Sequence, residues 1–332
     1  MNTVASGDVR EAADAIRSCV AAGGTLALMC HVSPDGDALG SMLALHHLAR
    51  SQGVDSVASF PNPFSVAAHY RSIPGLVLMC DSASFPEKPT TVVTFDCGSL
   101  GRLVELGGPA AFARDHGELI VLDHHATNDR YGSINVVDTR AAATAVVVHN
   151  LARELGWPLT REAATCLYVG LVTDTGRFQF SCTDPTVFEM AAELVSFGIP
   201  VARLNRELFD EHPYAYLQLA SRVLARAVLD EGRGLIYSRV TQEDLAELGV
   251  EYDEIEGMID WLRTAAEAEV AVIYKEATDG VRVSMRSLTE VDVGAVADSL
   301  GGGGHVRAAG FTMDGPIDAV HAVLLRALDT VR

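Results

Sequence analysis

Aspartate and histidine residues recur where apolar segments end in the first two-thirds of the chain. Imidazoles and carboxylates that converge at one place form a metal site, and this mixture suits Mn²⁺ or another intermediate divalent ion better than Ca²⁺. The set offers more ligands than one ion needs. Two ions about 3.5–4 Å apart would clamp the attacking and leaving oxygens of a phosphoryl transfer, so the pattern predicts hydrolysis of a phosphate ester or anhydride. The residues concerned are His31, Asp35, Asp37, Asp96, Asp123, His124, His125 and Asp174.

Other chemistries fit this sequence less well. The segment Pro34–Asp37 taken alone is typical of a turn. It is not an EF-hand loop, because the twelfth position counted from Asp35 is His46 where a bidentate Glu is required. Ser99 lies in no GxSxG elbow, and the sequence has no Walker A loop. A serine hydrolase and a nucleotide triphosphatase are therefore disfavoured.

The scaffold for these residues is predicted from short apolar runs that alternate with helical patterns. Such alternation implies an α/β fold, a mostly parallel sheet flanked by helices, with its site beyond the carboxyl ends of the strands. We expect the metal-site residues to follow four strands of this sheet. The fourth is the apolar run Cys166–Val172, although the longer segment Arg161–Val172 has a helical pattern. Predicted strands are Thr25–Cys30, Val54–Phe60, Leu76–Cys80, Thr91–Phe95 and Leu119–Leu122, and predicted helices are Ala38–Gln52, Ala141–Leu155 and Arg161–Val172.

The pattern restarts in the last third of the chain, which predicts a second, smaller α/β domain across a cleft from the first. We place the metal-binding domain at residues 1–197, a helical connector at 198–226 and the smaller domain at 227–332. The helices Thr183–Phe197 and Val201–Ala227 are expected to join them. Elements predicted beyond are the strand Gly234–Val240, the hairpin strands Val270–Glu276 and Gly280–Arg286, the helix Val291–Leu300, the strand Ala308–Met313 and the helix Pro316–Val331.

The chain is acidic, with 25 Lys and Arg residues against 44 Asp and Glu residues and a net charge of −19. Binding of long nucleic acid needs a broad basic face, so we expect no such partner. A small anion needs only a local positive site, which bound metal ions can provide. No run approaches the ~18 apolar residues of a membrane span, and the first residues lack the pattern of a signal peptide. We therefore expect a cytoplasmic protein without membrane contact.

The acidic and histidine motifs have a counterpart in a known family. His31-x-x-x-Asp35-x-Asp37, Asp96, Asp123-His124-His125 and Asp174 resemble the four metal-binding motifs of the DHH phosphoesterase family. The segment Gly301–His305 followed by Ala308–Gly310 resembles the signature of the DHH-associated C-terminal domain. The nearest subgroup is the short, two-domain branch. Its members are nanoRNases, oligoribonucleases that also act on 3′-phosphoadenosine 5′-phosphate (pAp), and relatives that cleave cyclic di-AMP or its linear product pApA.

The resemblance implies a role for each of these residues. Asp96, His125 and Asp123 would be the catalytic group: Asp96 bridges two Mn²⁺ ions, His125 faces the substrate phosphate and Asp123 orients the histidine pair. Mg²⁺ or Co²⁺ could replace Mn²⁺. The first ion would be held by His31 and Asp35, and the second by Asp37, His124 and Asp174.

Substrate contacts are expected from the glycine run and from nearby basic residues. Glycines let backbone N–H groups approach a phosphate closely, and Arg177 lies near the fourth metal motif. The expected substrate-binding residues are Arg177, Arg286, Gly302, Gly303, Gly304 and His305.

These patterns and the resemblance together predict a Mn²⁺-dependent phosphodiesterase that hydrolyses short oligoribonucleotides such as pApA to 5′-mononucleotides, with pAp 3′-phosphatase as a further activity. Cyclic di-AMP cleavage and inorganic pyrophosphate hydrolysis are alternatives within the same enzyme class. A nucleotide sensor without turnover is the alternative of another class. A homodimer is also open, because the Val/Ala-rich face Ala141–Val148 would serve as an interface or as ordinary core.

Overall fold

A sheet of parallel strands lies at the centre of the first part of the chain. Its strands are β1 (Leu26–Cys30), β2 (Ser56–Ser59), β3 (Thr91–Phe95), β4 (Glu118–Asp123) and β5 (Ile134–Val137). The computed structural model describes residues 6–331, and within them this sheet has five strands in the order β2-β1-β3-β4-β5, all parallel. Every residue of β1 and β3 is buried, as expected when helices cover both faces. The predicted α/β class is confirmed.

Helices lie against both faces of this sheet. They are α1 (Ser6–Ala21), α2 (Gly36–Ser51), α3 (Gly107–His116), α4 (Thr144–Leu155), α5 (Arg161–Asp174), α6 (Pro185–Ser196) and α7 (Val201–Asn205). Leu28 of β1 belongs to a core shared with α1, α2, α4 and α5. Met29, which points to the opposite face, belongs to a smaller core with α3. The alternation of the two faces along β1 follows from the two-residue period of a strand.

Helices α2 and α5 contact each other at glycine positions. A Cβ on Gly40 would lie 2.4 Å from the carbonyl oxygen of Cys166, and a Cβ on Gly170 would lie 2.5 Å from Asp37 Oδ1. Real Cβ atoms do not approach other atoms that closely, so the observed separation of the two backbones depends on glycine. The contact places the first turn of α2 beside the carboxyl-terminal half of α5.

The remainder of the chain forms a second sheet with helices on its two faces. Its strands are β6 (Val228–Asp230), β7 (Leu235–Val240), β8 (Val270–Ala277), β9 (Gly280–Ser287), β10 (Gly303–His305) and β11 (Ala308–Met313), and its helices are α8 (Tyr214–Ala225), α9 (Gln242–Leu248), α10 (Ile259–Leu262), α11 (Val293–Ser299) and α12 (Ile317–Leu328). The strand order is β10-β11-β9-β8-β7-β6, and among the described strands of this second sheet only β7 and β8 pair in parallel. Helices α11 and α12 cover one face, and α8, α9 and α10 share a core on the other.

Two predicted elements outside the metal motifs were wrong. Leu76–Cys80 is not a strand: Leu76–Leu78 forms a 3₁₀ turn, and the side chain of Val77 is 94% exposed. The segment lies beside the sheet edge and contributes one backbone bond, from Cys80 N–H to the carbonyl of Ala58, instead of a ladder. Val201–Ala227 is not one helix, because the chain leaves helical geometry at Glu211 and α8 starts only after Pro213. Proline lacks the N–H that a continuous helix would need there.

The chain divides into two compact units, Met1–Glu211 and His212–Arg332. The domain limits drawn from the sequence, with a connector at residues 198–226, stay a prediction. The Val/Ala-rich face of Ala141–Val148 lies in the core of the first unit, where Ala143, Ala145 and Val148 are fully buried. No helix within residues 6–331 is long and apolar enough to cross a bilayer.

Candidate metal centre

Three neighbouring strands deliver polar side chains at one edge of the first sheet. His31 follows β1, Asp96 follows β3, and His124 and His125 follow β4. Because β1, β3 and β4 are adjacent and parallel, their carboxyl ends meet at the same edge. The sequence prediction is correct for these three strands.

The prediction that Asp174 follows a fourth strand was wrong. Asp174 is the last residue of helix α5, which is capped at its start by the Thr160 hydroxyl and buried along most of its length. An apolar run of this kind does not distinguish a buried helix from a buried strand. Asp174 nevertheless lies beside His124, because the close contact of α5 with α2 at their glycines brings the end of α5 to the same edge of the sheet.

Asp96 lies at the centre of the cluster. Its carboxylate oxygens lie 3.8 Å from His31 Nε2, 3.6 Å from His124 Nε2 and 3.4 Å from His125 Nδ1. His124 Nε2 also lies 3.2 Å from Asp174 Oδ2. Within the first unit's described residues, three groups offer ligand atoms that all lie within 4.8 Å of one another, and each contains Asp96. The groups are His31, Asp35 and Asp96; Asp37, Asp96 and His124; and Asp96, Asp123 and His125.

The two aspartates of the first motif are fixed by helix ends. Asp35 is the N-cap of α2, where its Oδ1 accepts hydrogen bonds from the N–H groups of Asp37 and Ala38. Asp37 is fully buried and accepts hydrogen bonds from the N–H groups of Thr144 and Ala145, the first two residues of α4. Asp37 therefore satisfies amides that the start of α4 would otherwise leave unpaired, and the positive end of the helix dipole favours its charge.

Thr144 joins the two central carboxylates. Its hydroxyl donates to Asp96 Oδ1 at 2.9 Å, and its backbone N–H donates to Asp37 Oδ2 at 2.5 Å. The residue is fully buried. Sequence reasoning missed Thr144, because nothing in the run Ala141–Val148 marks one residue as a contact to two distant aspartates.

The histidine pair is oriented by groups behind it. Asp123 is fully buried and accepts hydrogen bonds from His125 Nδ1 at 2.7 Å, from the backbone N–H groups of both histidines and from Asn128 Nδ2. His124 Nδ1 lies 3.2 Å from the carbonyl oxygen of Ala141, so its Nε2 points toward Asp96 and Asp174. Metal-binding histidines commonly donate their second ring nitrogen in this way.

The charge balance of the cluster fits a bound cation. Burial, followed by the nearby Asp174 and Asp96 carboxylates, raises the pKa of Asp37 well above its usual range, and burial raises the pKa of Asp174 to about 6. Burial opposes protonation of His124, but its hydrogen bond to Asp174 and the surrounding carboxylates outweigh it and raise its pKa to about 11. Closely spaced carboxylates thus need positive charge. A divalent ion supplies such charge, and the donor set suits one.

Arg102 is a second contact that sequence reasoning missed. Its Nη2 lies 2.9 Å from His31 Nδ1, and the carbonyl oxygen of Val32 lies 2.8 Å from the same nitrogen. The 3₁₀ segment Leu100–Leu106, which carries Arg102, is anchored by Glu105, which accepts hydrogen bonds from Asn62 N–H and the Ser82 hydroxyl. No sequence motif connects Arg102 with His31.

The predicted substrate-binding residues fall in both units. In the first, the Arg177 guanidinium lies 3.1 Å from Asp210 Oδ1 and stacks over the ring of Phe209. In the second, Arg286 of β9 and His305 of β10 are both register partners of Ala308 in β11, so the three lie in one row on one face of the sheet.

The glycine run forms an edge strand of that sheet instead of an open loop. A Cβ on Gly302 would lie 2.2 Å from the carbonyl oxygen of Gly310, and one on Gly304, whose φ is +140°, would lie 2.5 Å from that of Ala308. The N–H of Gly302 donates to the carbonyl of Ala297, and Gly303 pairs with Gly310. Glycine is therefore required here for close approach of the strands, whatever else the segment binds.

Comparison with known proteins places this centre in a family. Residues 25–171 match the DHH family, N-terminal domain, and residues 232–331 match the DHHA1 domain. The chain is 34% identical over 308 residues to the bifunctional oligoribonuclease and PAP phosphatase NrnA of Thermus thermophilus, covering 92% of this chain and 89% of that protein. The chain belongs to the DHH family.

Further matches agree with this DHH-family assignment. The chain is 27% identical to the bifunctional oligoribonuclease and PAP phosphatase NrnA of Bacillus subtilis, covering 86% of this chain and 88% of that protein. The crystal structure of an exopolyphosphatase-related protein from Bacteroides fragilis has the same fold, with a TM-score of 0.89, 23% identity and coverage of 97% and 96%. The resemblance inferred from the sequence motifs is confirmed for both the DHH and the DHHA1 domains.

Proposed function

We propose that this DHH-family protein is a metal-dependent phosphodiesterase that hydrolyses short oligoribonucleotides such as pApA to 5′-mononucleotides and also removes the 3′-phosphate of pAp. The observation that carries the proposal is the cluster of histidines and carboxylates centred on Asp96. The two NrnA relatives, which are named oligoribonuclease and PAP phosphatase, support the choice of substrate.

Two Mn²⁺ ions are the proposed cofactors, with Mg²⁺ or Co²⁺ as substitutes. When bound, they supply the positive charge that activates a water and stabilises the phosphoryl oxygens. Asp96 would contact both ions, because its carboxylate lies central to the three ligand groups. The proposed ligands are His31 and Asp35 for one ion and Asp37, His124 and Asp174 for the other, with Asp96 shared.

The protein's own groups would orient the substrate and a proton. Burial opposes protonation of His125, but its hydrogen bond to Asp123 and the charge of Asp96 outweigh burial and raise the pKa of the imidazole. His125 would then be a hydrogen-bond donor to a phosphate oxygen at neutral pH. Asp123 would hold the ring in place as a charged hydrogen-bond acceptor. Burial opposes ionisation of Asp123, but the hydrogen bond from His125 outweighs burial and lowers the pKa of the Asp123 carboxyl. In the second unit, Arg286, His305 and the Gly302–Gly304 backbone are proposed phosphate contacts, together with Arg177 in the first.

The decisive experiment is release of AMP from pApA by the full chain with Mn²⁺, with a chelator control. AMP that appears only with metal supports the proposal. Absence of AMP while metal is bound, as measured by calorimetry, would contradict it. The same assay with pAp tests the phosphatase activity.

Rival functions separate in parallel assays. Inorganic pyrophosphatase activity is disfavoured, because family II pyrophosphatases have a second domain of another type and residues 232–331 here match the DHHA1 domain. Cyclic di-AMP as substrate would give pApA or AMP from the cyclic compound. A nucleotide sensor would bind cyclic di-AMP and yield no product over hours. A complete set of candidate metal ligands argues against the sensor.

A further inference from the structure

The chain turns in an unusual conformation directly after Asp174. Three successive residues, Gly176, Arg177 and Phe178, have φ values of +54°, +61° and +63°. Non-glycine residues seldom adopt this left-handed region, and a bulky side chain there is an outlier. Backbone of this kind persists where surrounding structure enforces it, and it is concentrated at functional sites. The turn therefore indicates a functional role in addition to connecting α5 to α6.

The turn sets the positions of the aromatic rings in the segment that follows Asp174. The ring of Phe180 lies against Gly176, where a Cβ would come within 2.3 Å of it. Phe178 packs inward on Tyr168 and lies 5.4 Å, centroid to centroid, from the ring of Phe188 in α6. Phe180 and Phe188 are nevertheless 42% and 55% exposed. Both side chains thus keep part of their apolar surface accessible to solvent within one short segment.

A shallow, open groove of about 600 Å³ follows this segment along the start of α6. It is lined by Thr183, Asp184, Pro185, Phe188, Glu189 and Ala192. The N–H of Thr183 donates to the carbonyl of Phe180, and the neighbouring Cys182 Sγ lies 3.8 Å from the carbonyl oxygen of Asp174. These contacts link one end of the groove, at Thr183, to the end of α5, where the proposed metal ligand Asp174 lies.

The lining selects the chemistry of an occupant. Its charged side chains are Asp184 and Glu189, and no Lys or Arg is among the residues that line it. Acidic groups repel a phosphate, but they accept hydrogen bonds from exocyclic amino groups. Aromatic and proline faces suit a flat, uncharged ring, because every base has a π-face that stacks on such surfaces. An uncharged nucleobase fits both the acidic hydrogen-bond acceptors and the flat apolar faces, while the phosphate attached to it would lie outside the groove, at the metal centre.

We propose that Phe180, Phe188 and the groove beside them form a nucleobase subsite of the first unit, which stacks a base of the oligoribonucleotide whose phosphate is bound at the metal centre. The subsite deepens the proposed function and rests on it. It would favour a dinucleotide over a phosphate compound without a base at this position.

The kinetic test compares Phe188→Leu and Phe188→Trp with Val195→Ala. Leu keeps an apolar side chain but removes the π-face, whereas Trp keeps it. We expect Phe188→Leu to raise KM for pApA about ten-fold, because the variant loses the stacking of one base. The change in kcat should be much smaller. Phe188→Trp, which keeps an aromatic ring, should have a KM close to that of the wild type. Val195, 43% exposed and two turns further along α6, lies outside the groove lining and is the matched control. Equal KM values for all four proteins would overturn the subsite.

A binding test separates failure of the subsite from failure of the proposed function. In metal-loaded Phe188→Trp, AMP should quench the fluorescence of the new indole in a saturable way that wild type does not show, and ribose 5-phosphate should not. No difference between AMP and ribose 5-phosphate refutes stacking, whether or not wild type cleaves pApA. If Phe188→Leu instead converts a dimer to a monomer in sedimentation, the groove is an interface between two copies of the chain and the proposal is wrong.

Discussion

Asp96 combines an unusual backbone with a central carboxylate. It follows β3 with a φ of +53°, and its side chain is 2% exposed. Burial opposes ionisation of Asp96, but the hydrogen bond from His31 and the charges of the histidines outweigh it, so its pKa is lowered. The residue is therefore a carboxylate across the working range of pH.

We expect Asp96→Asn to lose most of the rate. The amide keeps the size of the side chain but removes the negative charge that is common to the three ligand groups. Substitution of a residue that only hydrogen-bonds to a metal ligand typically costs about 10–100-fold in activity, and we expect a larger loss here. Steady-state hydrolysis of pApA and calorimetric Mn²⁺ binding measure it. Near-normal Mn²⁺-dependent turnover would show that Asp96 is not a shared ligand of two ions.

Thr144 allows a finer test of the same carboxylate. Thr144→Val removes the hydroxyl that donates to Asp96 but keeps the N–H that donates to Asp37. We expect Mn²⁺ affinity to fall by roughly ten-fold, as for other groups that orient a metal ligand. Thr144→Ser keeps the hydroxyl and should bind metal as wild type does. A serine variant as weak as the valine variant would assign the effect to packing instead.

At the scale of elements, helix α9 depends on one buried carboxylate. Asp244 completes a capping box with Thr241 and accepts charged hydrogen bonds from Arg226. Burial opposes its ionisation, but the bonds from Arg226 and Thr241 outweigh burial and lower its pKa from 3.8 to about 2. Folding thus favours the charged form of Asp244.

The second unit should consequently lose stability in acid. Because the folded pKa lies below the unfolded one, the contribution of Asp244, about 2 kcal/mol, is present above about pH 4 and is lost as the pH falls toward 2. Asp244→Asn should remove a similar free energy of unfolding at pH 7 and flatten this part of the pH dependence in urea titrations. Asp279→Asn, which breaks an exposed pair with Arg282, is the control and should change little. Equal losses for both variants would contradict the assignment.

The sequence predicted the elements whose ends carry the chemistry better than the contacts between elements. Strands β1, β3 and β4 were found because a buried parallel strand is a short apolar run, and His31, Asp96 and His124 follow such runs directly. Asp174 was assigned to the end of a strand because the run Cys166–Val172 that precedes it is apolar throughout, and such a run does not distinguish a buried helix from a buried strand. The contacts of Thr144 and Arg102 join residues far apart in the chain, and no local pattern encodes them.

At the scale of the whole molecule, metal and folding should be coupled. The buried carboxylates of the first unit repel one another, so ions that bind only the folded chain stabilise it, by about 2.7 kcal/mol at a hundred times Kd. We expect a chelator to lower the melting temperature by roughly 5 °C or more. Calorimetry with and without Mn²⁺ measures the shift, and Asp96→Asn should respond less. A melting temperature indifferent to chelator would show that the cluster binds no ion under those conditions.

The net charge of −19 should limit the length of RNA that the protein cleaves. Few phosphates can be neutralised beyond the metal centre, so hydrolysis of pApA should exceed that of a 24-nucleotide RNA and depend only weakly on salt. Rates at two ionic strengths check both points. Faster cleavage of the long strand, with a steep loss in salt, would indicate a basic track instead.

The glycines between α2 and α5 have a consequence for ion size. Asp37 and Asp174 stand on different helices, and their separation is set by how closely Gly40 and Gly170 let those helices approach. A single added methyl group at Gly40 would move one proposed ligand away from the other without altering either. The size of ion that the two proposed ligands accept should therefore depend on this helix contact. A variant meant for a larger divalent ion would change Gly40 and keep the identity of every proposed ligand.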